Sequence, residues 1–123
     1  MLFRSRGTAE LGPLVLKASA GVALRATLLR TDDAAGAVTE LRDARFEVIG
    51  LDGGASGAED LFRAELPERA VYVLGNETDG LSPAVAAQLD RNLAIPLASG
   101  VESLNVACAA SVVAFELARR RNG

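Results

Sequence analysis

The sequence predicts an α/β domain with a mostly parallel sheet, and three observations support this prediction. Short apolar runs alternate along the chain with segments of helical spacing, an order typical of βαβ units. Residues 71–74 are continuously apolar, as expected of a strand whose two faces are both covered. The chain has 123 residues, of which 50% are hydrophobic, enough for one buried core. We therefore expect residues 1–123 to form a single domain.

The first half of the chain contains two predicted helices and two predicted strands. Residues 1–11 show no clear period and are expected to be irregular. Residues 13–23 have helical spacing and begin with a proline, which suits a first turn. Residues 26–29 form a short apolar run that predicts a strand. Residues 39–45 are amphipathic and predict a helix, and residues 46–51 predict the strand that follows it.

The second half begins with a glycine-rich loop. Residues 52–57 contain too much glycine to hold regular structure cheaply, so they are expected to form a loop. A short helical turn is expected at residues 59–62. The apolar run at residues 71–74 is a predicted strand, and residues 75–80 are its loop.

The last part of the chain contains two helices and one strand by prediction. Ser82 and Pro83 suit the N-cap and first position of a helix that reaches about Leu89. Residues 93–95 predict a short strand, and residues 104–119 predict the final helix. That helix ends in three consecutive arginines, which complement the negative end of a helix or could instead contact RNA phosphate.

Composition excludes several kinds of site. The formal net charge of -3 argues against a generally basic nucleic-acid surface. The chain has no histidine, which excludes His general bases and His metal ligands, so we expect no metal site. The single cysteine, Cys108, allows no intrachain disulfide and favours a reducing compartment such as the cytoplasm. We interpret Cys108 as a core residue. The longest apolar run is too short for a membrane span, which needs about 20 residues.

Three loops are expected to meet at one edge of the sheet. In parallel sheets, ligands bind beyond the carboxyl ends of the strands. Residues 51–57, 75–80 and 96–103 each follow a predicted strand, so they should converge there. Glycine richness alone explains residues 53–57 as a surface loop, and the chain contains neither a P-loop nor a dinucleotide fingerprint.

Two of these loops allow both a structural and a functional interpretation. The loop at residues 75–80 could be a tight turn before a helix capped by Ser82. Glu102, Ser103 and Asn105 could cap the final helix, but three such residues exceed what one cap requires. A helix start also offers free N–H groups and a positive partial charge, which suit a ligand with acceptor atoms.

Two segments, in this order, resemble motifs of a known family. The first is Leu74-Gly75-Asn76-Glu77-Thr78-Asp79-Gly80-Leu81-Ser82. The second combines Ile95-Pro96-Leu97 with Glu102-Ser103-Leu104-Asn105-Val106-Ala107. They resemble motifs two and three of the SpoU family, which are SPOUT-class RNA 2'-O-ribose methyltransferases. The resemblance extends over residues 7–121.

The resemblance implies an α/β fold with a C-terminal trefoil knot and S-adenosylmethionine bound in that knot. The residues implied to bind this cofactor are Leu51, Gly75, Ile95, Leu97, Ser103 and Leu104. The residues implied to serve catalysis are Asn76, Glu77, Ser103 and Asn105. The implied partners are tRNA or rRNA and a second copy of the chain. The residues themselves predict no membrane span, no metal and a cytoplasmic location.

One departure from the family leaves two functions open. The family's first motif, an Asn followed by an essential Arg, has no counterpart in the sequence. We therefore expect either a domain truncated at its N-terminus or a natural protein without that arginine. The first interpretation is an RNA 2'-O-ribose methyltransferase that uses S-adenosylmethionine. The alternative is a non-catalytic, cofactor- or RNA-binding dimer module of the same family. A third interpretation, an unrelated ligand-binding α/β domain, requires both motifs to be coincidental.

Overall fold

Two compact units make up the chain, Met1–Ala37 and Val38–Gly123. The computed structural model describes residues 2–4, 29–75, 80–98 and 104–123. In the first unit, strand β1 (Leu2–Arg4) pairs in parallel with strand β2 (Leu29–Thr31), and Leu2 lies opposite Leu29.

This strand pair corrects two expectations. Residues 1–11 were expected to be irregular, but β1 lies among them because its backbone pairs with that of β2. The strand expected at residues 26–29 is observed at Leu29–Thr31. The helix expected at residues 13–23 and the start of the predicted strand, residues 26–28, lie outside the described residues.

Helix α1 (Ala34–Asp43) begins five residues before the predicted start. Asp33 explains the difference, because its Oδ1 accepts the N–H of Gly36 at 2.9 Å and so caps the helix. The helix ends where Arg45 adopts a left-handed φ of 64°. The N–H of Phe46 then donates to the carbonyl of Leu41 at 3.0 Å, which closes the helix and directs the chain into the next strand.

A four-stranded parallel sheet forms the centre of the second unit, as the alternation of strands and helices predicts. Its strands are β3 (Glu47–Leu51), β4 (Glu59–Asp60), β5 (Ala70–Val73) and β6 (Arg91–Ala94). The spatial order is β4-β6-β3-β5, and every described pair is parallel. The strand that comes last in sequence therefore lies between β4 and β3.

The predicted helical turn at residues 59–62 is displaced. Glu59 and Asp60 instead pair with Leu93 and Ala94 as strand β4. The turn follows directly, because the carbonyl of Asp60 accepts the N–H of Ala64 at 2.9 Å. A two-residue strand has too little sequence to show a period, and pairing with β6 creates it.

Helix α2 (Pro83–Ala86) begins as predicted and ends early. The Oγ of Ser82 accepts the N–H of Val85 at 3.4 Å, which confirms Ser82 as the N-cap and Pro83 as the first helical residue. The helix stops short of Leu89 because the chain then joins the sheet. The N–H of Asp90 donates to the carbonyl of Val48 at 2.8 Å, and β6 begins at Arg91 rather than at residue 93.

Helix α3 (Val106–Asn122) packs on one face of the sheet. Val113 of this helix joins the buried cluster, whose other members are Ile49, Leu61, Ala64 and Leu93. The opposite face is buried as well, since Val48 is 0% exposed. Both faces are therefore buried at the centre of β3, which explains its apolar sequence, whereas the edge strand β5 is only partly buried along its length. No helix in the described part of the chain is both long and apolar enough to cross a membrane.

Two features of α3 differ from or extend the sequence analysis. Cys108 is exposed and free, so its interpretation as a core residue was wrong. Glu116 is 2% exposed and accepts hydrogen bonds from Arg119 and Arg120, with a distance of 2.6 Å from Arg120 Nε. Arg120 also donates to the carbonyls of Leu61 and Ala64, at 2.8 and 2.6 Å. Arg119 and Arg120, two of the three terminal arginines, therefore hold the Glu116 side chain, and Arg120 also connects α3 to the turn at residues 61–64.

Candidate functional site

A cavity of about 790 Å³ opens at the carboxyl ends of β3, β5 and β6. This is the edge at which a parallel sheet collects its loops, and it is the expected place for a ligand. Val106 and Ala109, in the first turns of α3, line another side of the cavity. The cavity is lined by residues 51–54, 74–75, 80–81, 93–97, 104–106 and 109.

The cavity brings together most of the site residues expected from the sequence. Among those expected to bind the cofactor, the ones that line it are Leu51, Gly75, Ile95, Leu97 and Leu104. Asn105, expected to serve catalysis, lines it too. The remaining three, Asn76, Glu77 and Ser103, lie outside the described residues. Segments from all three predicted loops thus meet around one space.

Gly75 occupies a position where a side chain has no room. A Cβ built on this residue would lie 2.6 Å from the backbone nitrogen of Leu81 and 2.7 Å from the Cα of Gly80. The obstruction is backbone and cannot rotate away. Gly75, which follows β5, therefore lies directly against the backbone of Gly80 and Leu81, and these three residues form one wall of the cavity.

The end of β3 forms a polar wall. The Oδ1 of Asp52 accepts the N–H of Gly54 at 3.0 Å, and the carbonyl of Asp52 accepts the N–H of Ala55 at 3.2 Å. These bonds shape the loop that was expected, from its glycine content, to be a surface loop. Asp52 was not expected to line the site. It could have been recognised as a charged residue that directly follows a buried strand.

Asn105 has a structural role that geometry makes plain. It is the N-cap of α3, and its Oδ1 accepts the N–H groups of Ala107 and Cys108 at 2.9 and 3.4 Å. The same residue lines the cavity, so the capping and functional interpretations of this helix start both apply to its position. The Oδ1 atom of Asn105 caps the helix, and this capping fixes the position of Asn105 beside the cavity.

The floor of the cavity is apolar. Leu93 is 0% exposed and belongs to the buried cluster, and Ile95 packs against that cluster. Leu74, Leu104 and Val106 continue this surface. Among the described lining residues, Asp52 and Asn105 carry the polar side chains. The site thus offers a rigid apolar floor with polar groups at its rim, an arrangement typical of small-molecule sites.

Comparison with known proteins assigns this arrangement to a family. The model of the SpoU rRNA Methylase family matches residues 1–115. The chain belongs to the SpoU rRNA methylase family. This confirms the resemblance seen in the two sequence motifs.

Curated relatives of this SpoU chain are RNA methyltransferases by name. It is 35% identical over 94% of its length to an uncharacterized tRNA/rRNA methyltransferase of Mycolicibacterium gilvum, of which the match covers 36%. It is 33% identical over 93% of its length to the 23S rRNA (guanosine-2'-O-)-methyltransferase RlmB of Neisseria meningitidis, of which the match covers 45%. The chain thus spans less than half the length of these two relatives.

Solved structures share the fold. A TrmH-family protein from Porphyromonas gingivalis aligns with a TM-score of 0.82 at 32% identity, over 97% of this chain and 48% of that one. The SpoU methyltransferase AviRb from Streptomyces viridochromogenes, in complex with AdoMet, aligns with a TM-score of 0.81 at 27% identity. That alignment covers 98% of this chain and 49% of AviRb. The α/β fold with a parallel sheet is therefore the SpoU/TrmH fold.

Proposed function

We propose that this chain carries the S-adenosylmethionine site of an RNA 2'-O-ribose methyltransferase and transfers methyl groups to tRNA or rRNA. The cavity at the carboxyl ends of β3, β5 and β6 is the observation that carries the proposal. Residues from both SpoU-like motifs line it, although the motifs are about twenty residues apart in sequence. The structure of AviRb, a relative with the same fold, was solved in complex with the cofactor AdoMet.

The described residues fit such a ligand. A volume of about 790 Å³ lies within the range of roughly 300–1,000 Å³ found for small-molecule sites. The apolar floor suits the flat purine of an adenosyl group. The wall formed by Gly75, Gly80 and Leu81 exposes backbone rather than bulky side chains, which suits hydrogen bonding to ring nitrogens.

We assign the holding of the cofactor to the six residues that the family resemblance implies. Leu51, Ile95, Leu97 and Leu104 would exclude water from the adenosyl group, and Gly75 would admit it close to the backbone. Ser103 would contribute a hydroxyl from the loop before α3. Bound there, S-adenosylmethionine supplies a methyl group on a positively charged sulfur.

The remaining polar residues would prepare the acceptor. A ribose hydroxyl must be held about 3 Å from the methyl carbon, and it must lose its proton as it reacts. The chain has no histidine, so this work would fall to Asn76, Glu77, Ser103 and Asn105. Glu77 would accept or orient the hydroxyl proton, while Ser103 and Asn105 would fix the ribose from the start of α3.

The proposed substrate follows from a relative rather than from the surface charge. RlmB of Neisseria meningitidis is named for methylation of a guanosine 2'-oxygen in 23S rRNA. Transfer to a 2'-hydroxyl of tRNA or rRNA is accordingly the reaction that we propose. Because these RNAs are cytoplasmic, the proposed activity belongs in the cytoplasm.

We also propose that the chain is knotted around this site. In the proposed trefoil, the segment before α3 passes through the loop that Gly75 closes. Two observations support it: β6 lies between β4 and β3 although it comes last in sequence, and residues 80–81 and 104–106 line the same cavity. Such threading would set backbone from two late loops around one ligand.

A homodimer is the proposed assembly, and an exposed apolar patch on the second unit supports it. Phe115 of α3 is 70% exposed and Phe62 is 46% exposed. Together with Val112 they border a groove of about 550 Å³. Exposed aromatic side chains grouped in this way are typical of protein interfaces, and a second copy of the chain would cover them.

Two measurements test the proposed function. Calorimetric titration with S-adenosylhomocysteine, the methyl-free product, tests the cavity; we expect saturable binding with one site per chain. Incubation with tritiated S-adenosylmethionine and bulk tRNA or rRNA tests transfer, and mass spectrometry of the digested RNA should show 2'-O-methyl nucleosides. The matched control is a DNA oligonucleotide with the sequence of an RNA that becomes labelled. It has no 2'-hydroxyl and should take up no label.

The outcomes separate the candidate functions. Absence of binding at millimolar ligand contradicts the cofactor site. Binding without transfer to any RNA supports the non-catalytic module instead. Label in a base rather than in ribose would place the chain in a different class of RNA methyltransferase.

A further inference from the structure

The wall of the cavity at the end of β3 carries a charge for which the proposed function gives no role. Among the described residues that line the cavity, Asp52 has the charged side chain. It follows the last residue of a strand whose middle is fully buried, so its backbone position is fixed by the sheet.

One oxygen of the exposed Asp52 carboxylate is engaged in the turn. Its Oδ1 accepts the N–H of Gly54 at 3.0 Å, which leaves Oδ2 as the oxygen that this turn does not use. The next two residues, Gly53 and Gly54, also line the cavity and bring no side chains to it. The carboxylate is therefore flanked by backbone on that side of the cavity.

A carboxylate in this place selects for hydrogen-bond donors. It has acceptor oxygens and no proton to give, so it binds hydroxyl or N–H groups. An adenosyl ligand offers a vicinal ribose diol with two adjacent O–H donors, while its sulfonium and the ammonium of its amino-acid part also attract a negative charge. The diol presents two neighbouring donors to one carboxylate, and removing both hydroxyls from the ligand separates this pairing from the other two.

We propose that Asp52 binds the ribose diol of the nucleoside held in this cavity and so positions it. This inference rests on the proposed function, because it assumes that an adenosyl ligand occupies the site. Asp52 then acts as a specificity residue: it favours nucleosides with free 2'- and 3'-hydroxyls and repels those that carry a phosphate on either oxygen.

Calorimetry with matched ligands and variants tests this role. Asp52→Asn keeps an oxygen for the Gly54 N–H, so the turn is preserved while the charge is lost. We expect Asp52→Asn to bind S-adenosylhomocysteine and S-adenosylmethionine about tenfold more weakly, by the same factor for both, since a hydrogen bond to a charged group contributes on that order. Asp43→Asn, an exposed position at the end of α1, is the control and should bind as the unchanged chain does.

The 2',3'-dideoxy analogue of S-adenosylhomocysteine completes the cycle. The unchanged chain should lose about tenfold in affinity for it, whereas Asp52→Asn should lose less than about threefold. Equal binding of the analogue and the parent by the unchanged chain overturns the inference, whatever the variant does. A loss confined to S-adenosylmethionine would assign Asp52 to the sulfonium and also overturn it.

The failure of this inference is distinct from the failure of the proposed function. If the unchanged chain binds neither S-adenosyl ligand, the cofactor site itself is wrong. If it binds both and Asp52→Asn binds them equally well, the role of Asp52 alone is wrong. Should Asp52→Asn not fold, Asp52→Ser keeps an acceptor for the turn, and thermal melting verifies each variant before titration.

Discussion

Gly75 is the residue whose identity the structure constrains most directly. An added Cβ would meet the backbone of Gly80 and Leu81, at 2.6 Å from the nitrogen of Leu81. We predict that Gly75→Ala forces the loop after β5 apart, widens the cavity wall and weakens S-adenosylhomocysteine binding at least tenfold. Calorimetric titration and thermal melting of the same preparation measure both effects.

Gly80 supplies the matched control for that substitution. It has a φ of 65°, and a Cβ built on it meets nothing within 4 Å. Gly80→Ala should therefore cost about 1 kcal/mol in stability through backbone strain while disturbing the cavity far less. Equal binding by Gly75→Ala and the unchanged chain would show that the close approach of the loop ends is unimportant for the ligand.

Asn105 combines a cap with a proposed role in catalysis, and two substitutions separate them. Asn105→Ala removes the oxygen that accepts from Ala107 and Cys108, so we predict a loss of about 1 kcal/mol in the free energy of unfolding. Asn105→Asp keeps a capping oxygen and should keep that stability. Urea denaturation measures the difference between the two variants.

Methyl transfer to RNA by the same two variants tests the proposed role. If the amide group positions the ribose, both variants should transfer methyl groups at least tenfold more slowly, although the aspartate variant is stable. Unchanged transfer by Asn105→Ala would contradict the role and leave Asn105 as a cap alone.

Single residues show where sequence reasoning succeeded and where it could not. The family resemblance named Leu51, Gly75 and Leu104 as cofactor residues, and all three line one cavity, while their binding role stays a prediction. Cys108 was misplaced: its position on α3 faces solvent, and an Ala-rich helix has no strong apolar stripe to show which face is buried. Asp52, which lines the cavity, was not singled out because its place in a glycine-rich turn already explained it.

At the scale of elements, α3 depends on one buried carboxylate. Hydrogen bonds from Arg119 and then Arg120 lower the pKa of Glu116 from its ordinary value of 4.5 to about 2. The charged form is thus favoured in the folded chain, so its contribution to stability is complete above about pH 4.5 and declines as the pH falls towards 2. We predict that Glu116→Gln is less stable than the unchanged chain at pH 7 and that the difference shrinks over this range.

Chemical denaturation at pH 7, 5, 4 and 3 measures the effect. Glu40→Gln, an exposed glutamate on α1, is the control and should show no such convergence with the unchanged chain. A stability difference for Glu116→Gln that stays constant from pH 7 to pH 3 would contradict the ion-pair explanation and point to packing alone.

Elements with a local signal were predicted, and elements created by pairing were not. The N-cap at Ser82 and the apolar runs of β3 and β5 could be seen in sequence because each depends on neighbouring residues. Strands β1 and β4 have three and two residues, too few for a period, and they form because a partner strand offers hydrogen bonds. Helix α1 was predicted too short because the capping role of Asp33 was overlooked.

At the scale of the whole molecule, the proposed dimer makes a testable demand on the Phe115 patch. Phe115 is 70% exposed, so a polar residue there should not harm the core. We predict that Phe115→Glu shifts sedimentation towards the monomer and raises the dimer dissociation constant at least tenfold, because a charge would be buried at the interface. Ala86→Glu, which adds the same charge at an exposed position of α2, should leave self-association unchanged.

Two results would contradict the interface. A monomer at all concentrations of the unchanged chain would exclude the dimer, and a dimer unaffected by Phe115→Glu would place the interface elsewhere.

The family and the α/β class were predicted from sequence and are confirmed, because they depend on motifs and on the alternation of strands and helices, which local sequence carries. Assembly depends on the shape of the surface, which the motifs and the alternation of strands and helices do not reveal.

The central position of β6 has a consequence for how the chain acquires its structure during synthesis. Its edges pair with β3 and β4, so those two strands have no common partner until residues 91–94 have left the ribosome. Until then β3 presents an unpaired edge, which is prone to join another chain. Contacts between distant parts of a sequence also form slowly. A nascent chain that stalls before β6 should therefore aggregate, and chaperone binding to that intermediate would protect it.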